Sequence, residues 1–419
     1  MPRLAILSLH TSPLAQPGTG DGGGMNVYVR ELAAALARSG AVCDVFTRAW
    51  SPELPAVVEV EPGLRVHHVA AGPVDPLPKE QLPAVVDAFT AGVLERMTTQ
   101  DPFADQDGPF TSLHANYWLS GLSGHVIKHE LNLPLVCTFH TLDRVKAESV
   151  PEEVEADMPH RRAEAEASII DCSDAVLASC TVEADQITSL YGADPERIRI
   201  VAPGVDHAFF GPGHRPQARR ALGLPLDGSL ILFVGRIQPL KCADAAVATL
   251  AELTARTDAP YRLVIVGGPS GPRGEESVRQ LIDLADANGV RHLVHFVAPQ
   301  PHELLSSYYR AADVCLVPSR SESFGLVALE AAACGTPVVA NAVGGLTTLV
   351  DQGRTGFLVE DPTPARYADA VQQLDAPLMA ERLSTASVLR ARRYTWRAAA
   401  NGLLELHDEL SAGRLVECR

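Results

Sequence analysis

Asp313-Val314-Cys315-Leu316-Val317-Pro318 leads, through Ser319, into Arg320-Ser321-Glu322-Ser323-Phe324-Gly325-Leu326-Val327-Ala328-Leu329-Glu330, and this passage decides how the chain folds. Its first part reads as a short buried strand. Its second part becomes a small-residue helix over Leu326 to Ala333, stopped at Gly335 with Pro337 beyond. With Ser323 and Gly325 in the first helical turn, free backbone N–H groups face an anion. Glu322 stands just outside that anion site, and Glu330 lies about two turns further in. A phosphate flanked by two sets of sugar-like hydroxyls satisfies this arrangement, each carboxylate accepting from hydroxyls. That is the chemistry of a nucleotide-sugar.

Working outward, strands alternate with helices almost throughout, the pattern of α/β layers with parallel sheets. In the first half, Leu4 to Leu9, Val42 to Thr47, Leu64 to Val69, Ser112 to Ala115, Leu135 to Phe139 and Ala175 to Ser179 read as strands. Asn26 to Arg38, Leu82 to Met97, Arg161 to Cys172 and Val182 to Tyr191 read as helices. Pro203-Gly204-Val205-Asp206 and the Gly/Pro-rich stretch Phe210 to Pro216 mark a hinge. A second series then begins. Its strands are Leu230 to Val234, Tyr261 to Val266, Leu293 to Val297, the DVCLVP strand, Val338 to Asn341 and Gly356 to Val359. Ala243 to Ala255, Ser277 to Asn288 and His302 to Ala311 are its helices. The expected fold is two Rossmann-like, doubly wound domains, 1–205 and 206–395, facing across a cleft. A helical tail, 396–419, packs back on the first. Such sheets bind ligands at the carboxyl ends of their strands.

Composition bounds the function. The 419 residues suit about two domains, and 46% hydrophobic content suits a packed core. No apolar run approaches the ~18 residues of a membrane span. The run after Arg3 is short and has no cleavage site, so it reads as a first strand rather than a leader. A formal charge of −16 argues against a nucleic-acid partner, though not against a small anionic substrate held by a few convergent cations. The eight cysteines show no CxxC and no regular framework, so they read as thiols of a reducing, cytoplasmic protein. No Cys/His group has the local spacing of a zinc site.

Three further constellations carry chemistry. Pro17-Gly18-Thr19-Gly20-Asp21-Gly22-Gly23-Gly24-Met25-Asn26 joins the first strand to the first helix and lets backbone approach a phosphate or sugar. It is neither a Walker A loop nor a GxGxxG fingerprint; a plain surface loop is the bland alternative. Gly235-Arg236-Ile237-Gln238-Pro239-Leu240-Lys241 ends a strand with two cations that suit a diphosphate, or else two solvated surface charges. His140-Thr141, His114 to Trp118 and His10 stand at strand ends, although a lone histidine more often packs than reacts.

Together these segments resemble the retaining GT-B glycosyltransferases of family four. The Glu322-x7-Glu330 pair, the Gly-rich loop and the Gly235-Arg236…Lys241 turn carry the resemblance. His10-Thr11-Ser12-Pro13, Gln16 to Asp21, Gly23 to Tyr28, Tyr117 to Gly121, His140-Thr141-Leu142 and Gly267 to Pro272 narrow it. They point to the branch that moves N-acetylglucosamine from UDP-GlcNAc to 1D-myo-inositol 3-phosphate in the first step of mycothiol biosynthesis. The resemblance implies a donor site of Gln16, Pro17, Asp21, Gly22, Gly23, Gly24, Arg236, Lys241, Val297, Glu322 and Glu330. In it the two cations hold the diphosphate, Glu330 the ribose and Glu322 the sugar. His10, Met25, Asn26, Lys79, Tyr117, Thr141 and Arg162 would hold the inositol phosphate, and His140 joins Arg236, Lys241 and Glu322 as catalytic. The resemblance also implies a homodimer, no cofactor for the chemistry, and a structural Mg2+ on backbone near Tyr309, Arg310, Ala312 and Thr336.

Several segments depart from the family pattern, namely His114-Ala115-Asn116, Cys137-Thr138-Phe139, Cys242 and the charged Leu142 to Lys146. None removes a matched site residue, but they bear on the acceptor more than on the donor, and two other readings stand beside the first. One is a family-four transferase with another sugar-phosphate or aminocyclitol acceptor. The other is a non-catalytic nucleotide-sugar-binding protein on the same fold.

Overall fold

Arg3–Leu7 forms the first strand, β1, with all five residues buried, as a strand covered on both faces requires. In this computed structural model the described residues are all but Thr19, Asp21, residues 150–158, Pro272, Pro377 and Arg419, with backbone alone at Pro159 and His160. The chain divides into two units. One comprises Met1–Ala15, Gly24–Gly204 and Trp396–Arg419; the other comprises Gln16–Gly23 and Val205–Thr395.

The first unit is built on a sheet of β1 with β2 (Val42–Arg48), β3 (Val57–Glu61), β4 (Leu64–Val69), β5 (Ser112–Asn116), β6 (Leu135–Thr138), β7 (Ala175–Ala178) and β8 (Ile198–Ile200). Their order is β3-β4-β2-β1-β5-β6-β7-β8, and only β3 runs antiparallel. The order reverses at β1/β5, where a doubly wound sheet opens a crevice for ligands. Ala5, Leu7, Phe46, Phe89, Leu113, Leu135 and Ile169 fill its core. Helix Trp396–Ala412 buries Trp396, Ala399, Ala400, Leu403, Leu406 and His407, a stripe at helical spacing. Trp396 meets Tyr28 of helix Gly24–Arg38 edge to face, with centroids 5.8 Å apart.

The second unit carries β9 (Ser229–Val234), β10 (Tyr261–Val266), β11 (Val294–Val297), β12 (Val314–Val317), β13 (Val338–Asn341) and β14 (Gly356–Val359). All pair in parallel in the order β11-β10-β9-β12-β13-β14, with the switch at β9/β12. Ile231, Phe233, Leu250, Leu263, Leu316 and Tyr367 form its core.

Several elements differ from the sequence expectation. Strand β3, helix Trp118–Leu131 and helices Arg215–Ala221, Pro364–Gln372 and Met379–Ala391 were not expected. The segment read as one helix from Leu82 divides into a 3₁₀ turn, Lys79–Val85, and a helix, Val86–Met97. Pro83 inside the turn lacks the N–H that an α-helix needs there. The chain leaves the first unit after Gly204, whereas the Gly/Pro stretch beyond it belongs to the second unit and buries Phe210.

Two cysteines also differ. Cys172 and Cys418 are joined as a disulfide, Cα atoms 4.7 Å apart and 246 residues apart in sequence. The other six are free and buried. Sequence spacing gave no sign of the pair because the tail that carries Cys418 reaches it only through the tertiary fold. Among the described residues no helix is long and apolar enough to cross a membrane.

Candidate functional site

The loops at the carboxyl ends of β9 and β12 carry three of the expected donor residues, Arg236, Lys241 and Glu322, and the helix after β12 carries Glu330. The turn after β9 begins at Gly235, and a Cβ on Gly267 would overlap the Gly235 carbonyl oxygen, so the next strand's loop must pass there as bare backbone. Arg236 follows. Its guanidinium lies against the backbone of Gly23, where an added Cβ would meet Nε at 3.3 Å, and Nη1 donates to Ser270 Oγ at 3.3 Å. The Gly-rich loop is therefore part of this unit's surface. Gly18 N donates to Gly22 O (2.9 Å), and Gln16 Nε2 to Pro299 O (3.3 Å). Pro17 sits in the same turn, and Asp21 lies outside the described residues. Val297 ends β11, its carbonyl accepting from Gly267 N at 3.0 Å.

Lys241 closes a short 3₁₀ turn, Pro239–Lys241, and its ammonium is ion-paired with the Glu322 carboxylate. Ser319 Oγ donates to the same Glu322 oxygen at 2.9 Å. Two backbone bonds hold the loops in register, Arg320 N to Leu240 O and Gly345 N to Glu322 O, each 2.9 Å. A Cβ on Gly344 would overlap the Glu322 carbonyl oxygen, so this bracing needs glycine. The helix starts at Leu326 after Gly325, which has φ 101°. Ser323 and Gly325 thus lie before the first turn, not within it as the sequence suggested, because the left-handed glycine interrupts the helical path.

Glu330 is buried in that helix. One oxygen meets His302 Nε2 at 2.7 Å, and the other accepts from Tyr309 OH at 2.8 Å. Burial first, then the neighbouring Glu330 charge, pushes the Tyr309 pKa well up, so the phenol stays a donor. Each carboxylate oxygen keeps a further lone pair for a ligand hydroxyl.

Tyr309, Arg310, Ala312 and Thr336, whose backbone the resemblance gives to magnesium, lie at the end of helix His302–Ala311 and just before β13. The Tyr309 carbonyl already accepts from Thr336 Oγ1 (2.6 Å) and Ala312 N (3.2 Å). The Arg310 guanidinium caps the carbonyls of Gly211 and Phe209.

In the first unit His10, Tyr117 and Thr141 follow β1, β5 and β6, whereas Arg162 comes from helix Pro159–Cys172, Met25 and Asn26 from helix Gly24–Arg38, and Lys79 from the turn after β4. Tyr117 and His140 both adopt positive φ, 75° and 61°. Non-glycine residues are held there at a cost of about 1–3 kcal/mol, a strain that gathers at functional sites. The His10 and Tyr117 rings lie 4.9 Å apart, and the Arg162 guanidinium sits 5.0 Å from the Tyr117 centroid. Arg162 donates to the Thr141 carbonyl (2.7 Å) and hydroxyl (3.1 Å), and its Nε to Glu166 at 2.8 Å. Burial opposes the Arg162 charge, but Tyr117, Glu166 and Asp143 outweigh it and raise its pKa. This is a fixed cation with a planar fork, suited to a phosphate.

Burial alone drives the His140 pKa down to about 3, so its imidazole is neutral. Nε2 lies 2.9 Å from Asn116 Oδ1, which places the proton there and leaves the other nitrogen as an acceptor. Asn26 Nδ2 donates to Ser12 O at 2.6 Å. Gly24 and Met25 begin the helix that carries Asn26. Lys79 starts the 3₁₀ turn, its ammonium 3.7 Å from Glu80.

Sequence reasoning missed Ser270, His302, Ser319, the Gly344-Gly345 brace, Asn116 and Glu166. A signal existed for two of them. His302 lies seven residues before Tyr309, on the same helix face, and Ser319 lies three before Glu322.

Comparison with known proteins follows the same division. Residues 23–204 match the glycosyl transferase 4-like domain, and residues 214–385 match glycosyl transferases group 1. The D-inositol 3-phosphate glycosyltransferase of Acidothermus cellulolyticus is 46% identical over 415 residues, 98% of this chain and 91% of that protein. That of Actinosynnema mirum is 47% identical over 413 residues, 98% and 97% of the two chains. The solved sucrose-phosphate synthase of Thermosynechococcus elongatus superposes with a TM-score of 0.87 at 33% identity, covering 98% of this chain and 100% of its own. WaaG, a glycosyltransferase involved in lipopolysaccharide biosynthesis, shares the fold at 19% identity, covering 98% and 100% of the two chains with a TM-score of 0.70. With paired α/β units, cations at the β9 turn and two carboxylates after β12, the chain belongs to the family-four GT-B glycosyltransferases.

Proposed function

We propose that this glycosyltransferase moves N-acetylglucosamine from UDP-GlcNAc to 1D-myo-inositol 3-phosphate, with retention at the anomeric carbon, as the first step of mycothiol biosynthesis. The observation that carries the reading is the Arg162 fork. It is fixed on Thr141 and Glu166 beside Tyr117 and His10, on a chain whose curated relatives at 46–47% identity are named for inositol 3-phosphate. The acceptor phosphate bonds to Arg162 and Thr141, joined by Lys79, while His10 and Asn26 meet ring hydroxyls.

On the second unit, Arg236 and Lys241 hold the donor diphosphate and the Glu330 carboxylate takes the ribose hydroxyls. Glu322, steadied by Lys241 and Ser319, takes hydroxyls of the sugar. Because Glu322 is engaged by a cation and a hydroxyl, it serves binding better than nucleophilic attack. The acceptor hydroxyl instead gives its proton to the departing β-phosphate oxygen as the C–O bond to the sugar forms on the same face. The two cations stabilise the charge that builds on that phosphate, and fixed charges aimed at such a point lower barriers by about 3–4 kcal/mol each.

A second reading keeps the donor chemistry and changes the acceptor. The 33% identity to a sucrose-phosphate synthase over 98% of this chain favours a sugar phosphate in that place. Labelled UDP-sugars offered with inositol 3-phosphate, inositol 1-phosphate, free inositol and fructose 6-phosphate decide between them. Transfer of N-acetylglucosamine to inositol 3-phosphate, at least tenfold faster than to the others, is expected. An inert inositol 3-phosphate beside a reactive fructose 6-phosphate would overturn the proposal in favour of the second reading.

A further inference from the structure

The first unit gathers four metal-ligating side chains that the transfer reaction does not use. His125 and His129 lie one turn apart on helix Trp118–Leu131, Cys172 ends helix Pro159–Cys172, and Cys418 lies in the tail beyond helix Trp396–Ala412. Their ligand atoms all fall within 4.8 Å of one another. His129 Nε2 lies 2.9 Å from Cys418 Sγ and 3.4 Å from Cys172 Sγ, and the two imidazoles stand 5.0 Å apart, edge to face.

We propose that these residues form a Cys2His2 site for a zinc-type cation, which clasps the carboxy-terminal tail to the first unit when the sulfurs are reduced. A disulfide alone gives no reason for two imidazoles to converge on its sulfurs. Two thiolates and two neutral imidazoles are a tetrahedral zinc set, with metal–sulfur distances near 2.3 Å and metal–nitrogen distances near 2.0–2.1 Å. Ligand atoms around one such ion stand about 3.3–3.8 Å apart, so with the S–S bond opened the four groups, all within 4.8 Å of one another, need only small shifts to take one. The formal charges cancel, which suits a site whose Cys172 is buried and whose His129 reaches solvent as an entry path. All four ligands come from protein, so the site is closed and structural rather than catalytic.

The surroundings hold the sulfurs in place independently of any bond between them. Asp174 accepts from Leu135 N at 2.7 Å, from the buried Lys128 ammonium at 2.9 Å and from Val416 N at 2.7 Å. Lys128 also donates to the Cys172 carbonyl at 2.7 Å. One carboxylate thus anchors the chain two residues from each cysteine, the outer support that ligands in metal sites need. The sequence argued against zinc because no Cys/His group has local ligand spacing, and in the structure the two cysteines of the set lie 246 residues apart. The fold, not local spacing, assembles the set.

The disulfide and the metal are alternative states of the same sulfurs. A dithiol reagent passes two electrons to the S–S bond and is itself oxidised to a disulfide. The two protein thiols then release two protons as the ion binds.

The test uses the full chain, reduced with a dithiol, stripped with a chelator and moved anaerobically to reductant-free buffer. Titration with Co2+ is expected to saturate at one ion per chain, with a thiolate-to-cobalt charge-transfer band and the intense visible bands of tetrahedral cobalt, displaced by Zn2+. Cys418→Ser, in a tail that carries none of the proposed substrate-binding residues, should weaken Co2+ affinity by at least about 10–100-fold. It should leave far-UV circular dichroism and glycosyl transfer unchanged. Zn2+ should raise the melting midpoint of the reduced wild type and protect its tail from protease, but do neither in Cys418→Ser. Absence of the charge-transfer band in the reduced wild type, or an equally strong band in Cys418→Ser, would overturn the site. So would a Cys172–Cys418 bond that excess dithiol leaves intact.

Discussion

Lys241 and Glu322, 81 residues apart in sequence, are ion-paired in the second unit, the ammonium on a 3₁₀ turn and the carboxylate on a loop braced by glycine backbone. In the proposed reaction each partner turns to a different part of the donor, so neither charge is spare. Lys241→Ala removes a cation from the departing diphosphate and should lower kcat by about 10²–10³-fold. Glu322→Gln should act through the same pair, so the double variant loses less than the product of the single losses. Steady-state kinetics on the three variants check this. Near-wild-type turnover in Lys241→Ala defeats the assignment.

Tyr309→Phe removes the phenol that donates to Glu330 at 2.8 Å. The expected stability loss is about 1 kcal/mol, the net worth of one such bond. The Glu330 carboxylate then turns more freely, and the donor KM should rise several-fold while the acceptor KM holds. Denaturant midpoints and separate KM measurements read the two effects. Equal rises in both KM values would sink this role.

Arg162 has two roles, binding the acceptor and pairing with Glu166, and they separate in a mutant series. Arg162→Gln should weaken the phosphorylated acceptor about 10–100-fold, the value of a charge-assisted bond. It also strands the buried Glu166 and should cost about 3–5 kcal/mol of stability. Adding Glu166→Gln should restore much of the stability and none of the acceptor affinity. Recovery of both would mean Arg162 serves the fold alone.

His407 carries a pH signature. It is buried in the last helix, burial lowers its pKa to about 4, and among the described residues neither ring nitrogen has a hydrogen-bond partner. An unfolded histidine titrates near 6.5, so between the two values the unfolded chain binds the extra proton. Stability is therefore full above about pH 6.5 and falls towards pH 4, by up to about 3 kcal/mol. His140, lowered to about 3 by burial, adds to the same limb. His407→Leu should narrow the gap between denaturation midpoints at pH 7 and pH 4.5. An unchanged gap counts against it.

The strand-and-helix rhythm was legible because buried parallel strands such as β9 and β12 are short apolar runs, and ligand loops must follow them. Arg236, Lys241, Glu322 and Glu330 were legible for the same reason, being tied to strand ends. The partners that tune them were not. His302 reaches Glu330 across 28 residues and Glu166 reaches Arg162 from the next turn, yet neither residue type is unusual in a helix. Helix Trp118–Leu131 was not expected, and it carries two glycines, Gly121 and Gly124, which are poor helix formers. They are there because a Cβ would strike Ile169 at 2.9 Å and Leu135 at 2.8 Å. Cys172 and Cys418 show the limit of spacing arguments, since only the folded tail brings them together.

The backbone changes unit four times, after Ala15, Gly23, Gly204 and Thr395. A ribosome must therefore deliver the helix with Trp396 and His407 before the first unit can close its core against Tyr28. For most of synthesis that apolar groove stays open to chaperones. No single cut of the gene yields either half intact, so recombining donor and acceptor specificities by swapping halves calls for grafts at several junctions.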